Sequence, residues 1–198
     1  MIWWLKARRA LVALPLGLTV LALLALVIQD GSAALPSLTI SGSGSTGQTR
    51  VMLFAPIPLV ASVALCLDAR LPPAEASGVR PVRAMDALLV ASVTLAAVAL
   101  CLGLGAALDS AAVAAAGRNS AFLTGLLLCV RPFAGQPAVM VPVAWVLAVV
   151  LIGFRSAGDP YAWAILPEPP GAPHAALGTA LVLITGLAAL LRGPRSPT

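Results

Sequence analysis

An all-α, polytopic membrane protein, a bundle of about six transmembrane helices behind a short amphipathic N-terminal segment, is the fold class this sequence predicts, and three observations predict it. Of its 198 residues 60% are hydrophobic and only 10% are charged, with a mean hydropathy of +1.01. An ordinary soluble domain carries roughly 25% charged residues, and a soluble fold of this size has no interior able to hide so much apolar surface. Lipid accepts that surface, and its signature is runs of about 20 apolar residues. Such runs follow one another almost end to end, and all seven acidic residues, Asp30, Asp68, Glu75, Asp86, Asp109, Asp159 and Glu168, fall between them.

Read as one transmembrane domain over 1–198, the chain is expected to span at Ala10 to Ile28, Val51 to Leu67, Ala87 to Leu108, Ala111 to Val130, Ala138 to Phe154 and Ala175 to Leu191. Ahead of the first span, Trp3 and Trp4 followed by Lys6, Arg8 and Arg9 make an amphipathic lead whose indoles and cations suit the headgroup layer. The same cations before an apolar stretch also fit a signal peptide, but the stretch is long enough to span and the rest of the chain is membranous, so an uncleaved span is expected. The segment 29–50, rich in Ser, Gly and Thr, is expected to be mobile or loosely structured. Pro56 and Pro58 in the second span are expected to bend it, because each frees a backbone carbonyl.

The segment from Asp68 to Asp86 carries Glu75, Arg80 and Arg83 among Pro72, Pro73, Gly78 and Pro81. From composition alone it is a solvated connector whose arginines set topology. The fourth span is the weakest, interrupted by Gly117, Arg118, Asn119 and Ser120. A cation at that depth needs a partner, and Asp109 across the short turn is the obvious one; the alternative leaves 111–117 shallow and Arg118 among headgroups. Both readings stay open. Between the last two spans the loop 155–174 holds Tyr161 and Trp163 among Pro160, Pro167, Pro169, Pro170 and Pro173, which fits either a re-entrant segment or an interfacial aromatic anchor.

Charge fixes the orientation. With the N-terminus cytoplasmic, the inside holds Lys6, Arg8, Arg9, Arg70, Arg80, Arg83, Arg131, Arg192 and Arg195, and the outside Arg50, Arg118 and Arg155, nine against three. Both termini are therefore expected in the cytoplasm, with the chain in the cell membrane. The net charge of +5 does not point to nucleic acid, since the basic residues are scattered between apolar runs.

No catalytic apparatus is expected. The one lysine, Lys6, rules out a glycine-rich phosphate loop, and the one histidine, His174, cannot build a zinc or triad site and reads as a solvent-facing loop residue. Cys66, Cys101 and Cys129 sit in separate spans, without metal or redox spacing. No acidic pair lies inside a span, as a proton-coupled carrier would need. No cofactor or metal is expected in this chain.

The layout, with Trp3-Trp4-Leu5-Lys6-Ala7-Arg8-Arg9, Glu75-Ala76-Ser77-Gly78-Val79-Arg80-Pro81-Val82-Arg83, Gly117-Arg118-Asn119-Ser120, Thr124-Gly125-Leu126 and Pro160-Tyr161-Ala162-Trp163, resembles the six-span membrane subunit of a type-2 ABC exporter, specifically the small Ala/Leu/Val-rich permeases of actinobacteria. That resemblance implies an interfacial helix before span one, a coupling helix between spans two and three that docks on a separate ATPase through Glu75, Arg80 and Arg83, and an outer re-entrant piece before the last span. ATP and Mg would sit on the partner ATPase. It also implies a second permease subunit, because one six-span bundle forms half of a translocation path. Gly103, Gly105, Gly125, Gly178 and Gly186 could lie at that interface or simply pack within the chain. The competing expectation is a non-transporting anchor or assembly protein that recruits a cytoplasmic partner; an intramembrane enzyme is disfavoured, because the spans offer no acid, histidine or nucleophile pair.

Overall fold

A computed structural model describes residues 9–29, 31–34, 48–69, 82–155 and 159–192. Trp3, Trp4, Glu75 and Arg80 lie outside these residues. Helix α1 covers Ala10–Ile28, the range expected from its apolar run. Its buried residues, Ala10, Leu14, Gly17, Leu21 and Ala25, recur every three or four positions and form one stripe. Gly17 lets that stripe lie against Ser62 of the next helix, where a Cβ would collide with the serine side chain. Leu11, Val12, Leu16, Leu23, Leu26 and Val27 are exposed on the remaining faces, as lipid-facing residues should be.

Ser32–Ala34 (β1) and Gln48–Arg50 (β2) pair antiparallel, with Ser32 opposite Arg50. A 3-10 turn, Val51–Phe54, then leads to α2, Ile57–Asp68. Pro56 caps α2 and Pro58 stands in its first turn, so the two prolines start a helix instead of kinking one. The physical reason is positional: a first-turn residue has no intrahelical use for its N–H.

Helix α3 runs Val82–Ala107, beginning five residues before the expected Ala87, so Arg83 and Asp86 belong to a helix and not to the connector. At 26 residues it is about 39 Å long, against a hydrocarbon core of about 30 Å. Asp109, at φ 51°, reverses the chain, and Ser110 caps α4 by accepting from the Val113 N–H at 3.3 Å.

Helix α4, Ala111–Ala134, stands at the centre of the bundle, packed most extensively on α3 and on α6 and also touching α2 and α5. It is a full-length helix, and it is the most buried of the long ones. Its polar interruption has that cause: Asn119, Ser120 and Thr124 face protein instead of lipid, so the helix needs less apolar character than its neighbours. Gly135, at φ 65°, ends it.

A 3-10 turn, Gln136–Val139, precedes α5, Met140–Ile152. After the segment 153–172, α6 covers Pro173–Arg192. Among the described residues five helical stretches are long and apolar enough to cross a membrane, the 3-10 turn and α2 counting as one over Val51–Asp68, and Gln136–Ile152 is an apolar stretch just below that length. The chain is a helical polytopic membrane protein.

The expected glycine contacts fall inside the chain. A Cβ on Gly125 would stand 2.7 Å from the Leu183 backbone, and one on Gly186 would stand 2.6 Å from the Gly125 carbonyl, so α4 and α6 touch backbone to backbone. Gly105 meets Ala114 in the α3–α4 hairpin, and Gly178 meets Ile165; Gly103 alone among the five faces open space.

Candidate functional site

Alternating helix direction gives the bundle two ends. One carries the β1–β2 ribbon, the α3–α4 turn and the segment 153–172. The other carries the C-termini of α2, α4 and α6 and the start of α3.

At the first end the described residues of the segment 153–172, 153–155 and 159–172, form no helix, and from Pro160 on proline after proline removes the N–H groups a helix would use. It is held by turns, with Arg155 N–H donating to the Asp159 carbonyl and Tyr161 N–H to that of Gly153. Ala164 and Leu166 are plugged into the core. Within the segment the Glu168 N–H donates to the Ile165 carbonyl and the Ala172 N–H to that of Pro169, and α4 supplies further donors. Arg118 Nη1 donates to the Pro169 carbonyl at 2.7 Å, and Nη2 to those of Glu168 at 2.7 Å, Ile165 at 2.9 Å and Leu166 at 3.4 Å. The buried Asn119 adds a donation from Nδ2 to Leu166 at 2.9 Å, while its Oδ1 accepts from Arg118.

Arg118 is thus not paired with Asp109. It sits about 10 Å along α4 from Ala111, whereas Asp109 is exposed in the turn. The structure does not bring the two together. Sequence reasoning looked for a carboxylate, but the partners are backbone oxygens of a proline-rich stretch.

Around this clamp lie Glu168 and His174, whose Nε2 stands 3.4 Å from Glu168 Oε1 with the imidazole half exposed. Met52, Leu53, Ala115, Asn119, Leu166 and Glu168 help to line a cavity of about 330 Å³ between the 3-10 turn, α4 and the segment. Its walls are apolar, with Asn119 and Glu168 as the polar groups among those named.

Tyr161 and Trp163 are both more than a third exposed and stack with ring centroids 6.4 Å apart. Arg155 covers Tyr161 at 5.3 Å, Trp163 meets Trp145 of α5 edge-on at 5.9 Å, and Trp145 meets Phe122 of α4 at 5.7 Å. Both expected anchors therefore begin a ladder of rings that runs from the surface into the core.

At the second end Asp68, closing α2, forms an ion pair with Arg131 in the last turn of α4, both side chains largely buried. The sequence reading placed both residues on one side but did not pair them; opposite charges at same-side ends of two spans were the available signal. Arg83, expected to meet an ATPase, is exposed on the first turn of α3 and donates through Nη1 to the Arg192 carbonyl of α6 at 3.2 Å. Asp86 is buried one turn further on.

Comparison with family models, curated proteins and solved structures finds no match to this chain.

Proposed function

We propose that this chain is the transmembrane subunit of an ATP-binding cassette exporter, forming half of a translocation path in the cell membrane with both termini cytoplasmic. The observation that supports it is the segment 153–172 drawn into the bundle end between the last two helices by Arg118 and Asn119, the slot in which such a permease carries a re-entrant piece.

In this reading the connector between α2 and α3, with Glu75 and Arg80, and Arg83 on the first turn of α3 dock on a separate ATPase that holds ATP and Mg, and a second permease subunit completes the path. Closure of the ATPase pair would move α2 and α3, and through the Asp68–Arg131 pair it would reach the central α4. The experiment is coexpression with the ATPase subunits encoded in the same genome, followed by copurification and ATPase assay in proteoliposomes. Association and stimulated hydrolysis are expected, both lost in an Arg80→Ala/Arg83→Ala variant. If no ATPase associates, the exporter reading fails and the recruiting anchor takes its place.

A further inference from the structure

We propose that the cavity between the 3-10 turn 51–54, the start of α4 and the segment 153–172 is a binding site for a small organic cation, a protonated amine on an apolar body, with Glu168 as its counter-ion. The cavity holds about 330 Å³, near the lower end for small-molecule sites. At about 30 Å³ each, the share of a water molecule in the liquid, that is room for about ten non-hydrogen atoms. Ala111 and Pro170 are exposed at its rim, whereas Met52, Leu53, Ala115 and Asn119 are buried around its floor. With Phe154 also in the wall, most of this lining is apolar and suits an aliphatic or aromatic body.

The wall supplied by the segment 153–172 is rich in acceptors. Pro160, Pro167, Pro169 and Pro170 bring carbonyls and no N–H, and the N–H of Glu168 is already given to the Ile165 carbonyl. The Asn119 amide is engaged as well, donating through Nδ2 to the Leu166 carbonyl and accepting at Oδ1 from Arg118. A ligand on that wall brings its own donors, and a primary ammonium has three. Glu168 adds the charge. Its side chain is 15% exposed, and a carboxylate so far withdrawn from water carries a desolvation cost that a cation offsets. Among the described residues its one ion-pair partner is His174, itself half exposed and charged only when protonated. Arg118 holds the backbone carbonyl of the same residue, but its N–H groups go to carbonyls and Asn119, and none of its nitrogens is within ion-pair distance of the carboxylate. The site needs no ATPase and does not depend on the transporter reading.

The test is isothermal titration calorimetry of the full chain in detergent with phenethylammonium chloride, and with phenylethanol and phenylpropionate as uncharged and anionic molecules of matched size. Phenethylammonium is expected to bind about tenfold more tightly than phenylethanol, the low end of what a hydrogen bond to a charged group contributes, and phenylpropionate more weakly than either. Glu168→Gln removes that advantage and leaves phenylethanol as it was; the backbone carbonyl that Arg118 holds stays in place. Ala111→Trp, at an exposed position of the rim, narrows the mouth and weakens both the cation and the alcohol, so it reports even if Glu168→Gln fails to fold. Asp109→Asn, in the exposed turn before α4, changes neither. Equal affinity for phenethylammonium and phenylethanol, cation affinity within twofold of the parent in Glu168→Gln, both affinities unchanged in Ala111→Trp, or an equal loss in Asp109→Asn would each overturn the site.

Discussion

Replacing Arg118 with Met keeps an unbranched stem and removes every donation that Arg118 makes to the segment 153–172. Three of its donations, to Pro169, Glu168 and Ile165, are 2.9 Å or shorter. A hydrogen bond from a charged group contributes about 1.5 kcal/mol at the low end, which gives about 4.5 kcal/mol for three. Arg118 is only partly buried, and water can reach the freed carbonyls, so roughly half of that survives, about 2 kcal/mol. Local opening of the segment then becomes about 30-fold more populated. Hydrogen exchange reads it directly at the Ala164, Ile165, Glu168 and Ala172 amides, which are hydrogen-bonded within the segment. Arg118→Met should speed their exchange by that factor and leave the middle of α1 unchanged. Asp109→Ala should leave all four amides alone. Faster exchange in Asp109→Ala, or none in Arg118→Met, would refute the carbonyl clamp and restore the ion pair.

Gly125→Val and Gly186→Val should each lower the thermal unfolding midpoint in detergent, by about 1–3 kcal/mol or more of overpacking, because a Cβ at either position meets backbone; Gly103→Val, facing open space, is the control and should cost far less. Asp68→Asn and Arg131→Gln should show a coupling energy of about 2 kcal/mol in a double-mutant cycle on detergent unfolding, between the values for exposed and fully buried pairs. Trp163→Ala should change the fluorescence of Trp145, which loses its edge-on ring contact, and should raise proteolysis after Arg155, whose neighbour Tyr161 loses its stacking partner.

Apolar runs were legible wherever a helix meets lipid. Helix α1, exposed on most of its surface, begins and ends where its hydropathy does. The signal fails for α4, because hydropathy measures contact with lipid and this helix has little; a polar stretch in it marked the centre of the bundle, not a break. It also fails at the start of α3, where Arg83 and Asp86 end the apolar run but the helix continues into the headgroup layer. Pro56 and Pro58 were read by residue type, and their position in the first turn reverses the meaning.

In the candidate site, the presence of Arg118 was legible as a cation needing partners, but the identity of those partners was not. Pro167, Pro169 and Pro170 remove three N–H donors from their stretch, so its carbonyls have room for donors from outside. That need is written in the backbone and shows in no side chain. Glu168 and His174 come together only because the segment folds back to the start of α6. Tyr161 stacks on Trp163 across the turn closed by the Ala164 N–H on the Tyr161 carbonyl, whereas Trp145 and Phe122 join from other helices and have no local signature.

Spin labels with collision reagents test most directly that lipid is the solvent of this bundle. Labels at Leu95 of α3 and Leu181 of α6, both exposed on the outside of the bundle, should collide freely with oxygen dissolved in a bilayer and scarcely with a water-soluble nickel complex. A label at Asp109, exposed in the α3–α4 turn, should show the reverse. Ready collision of the Leu95 and Leu181 labels with the nickel complex would contradict the account.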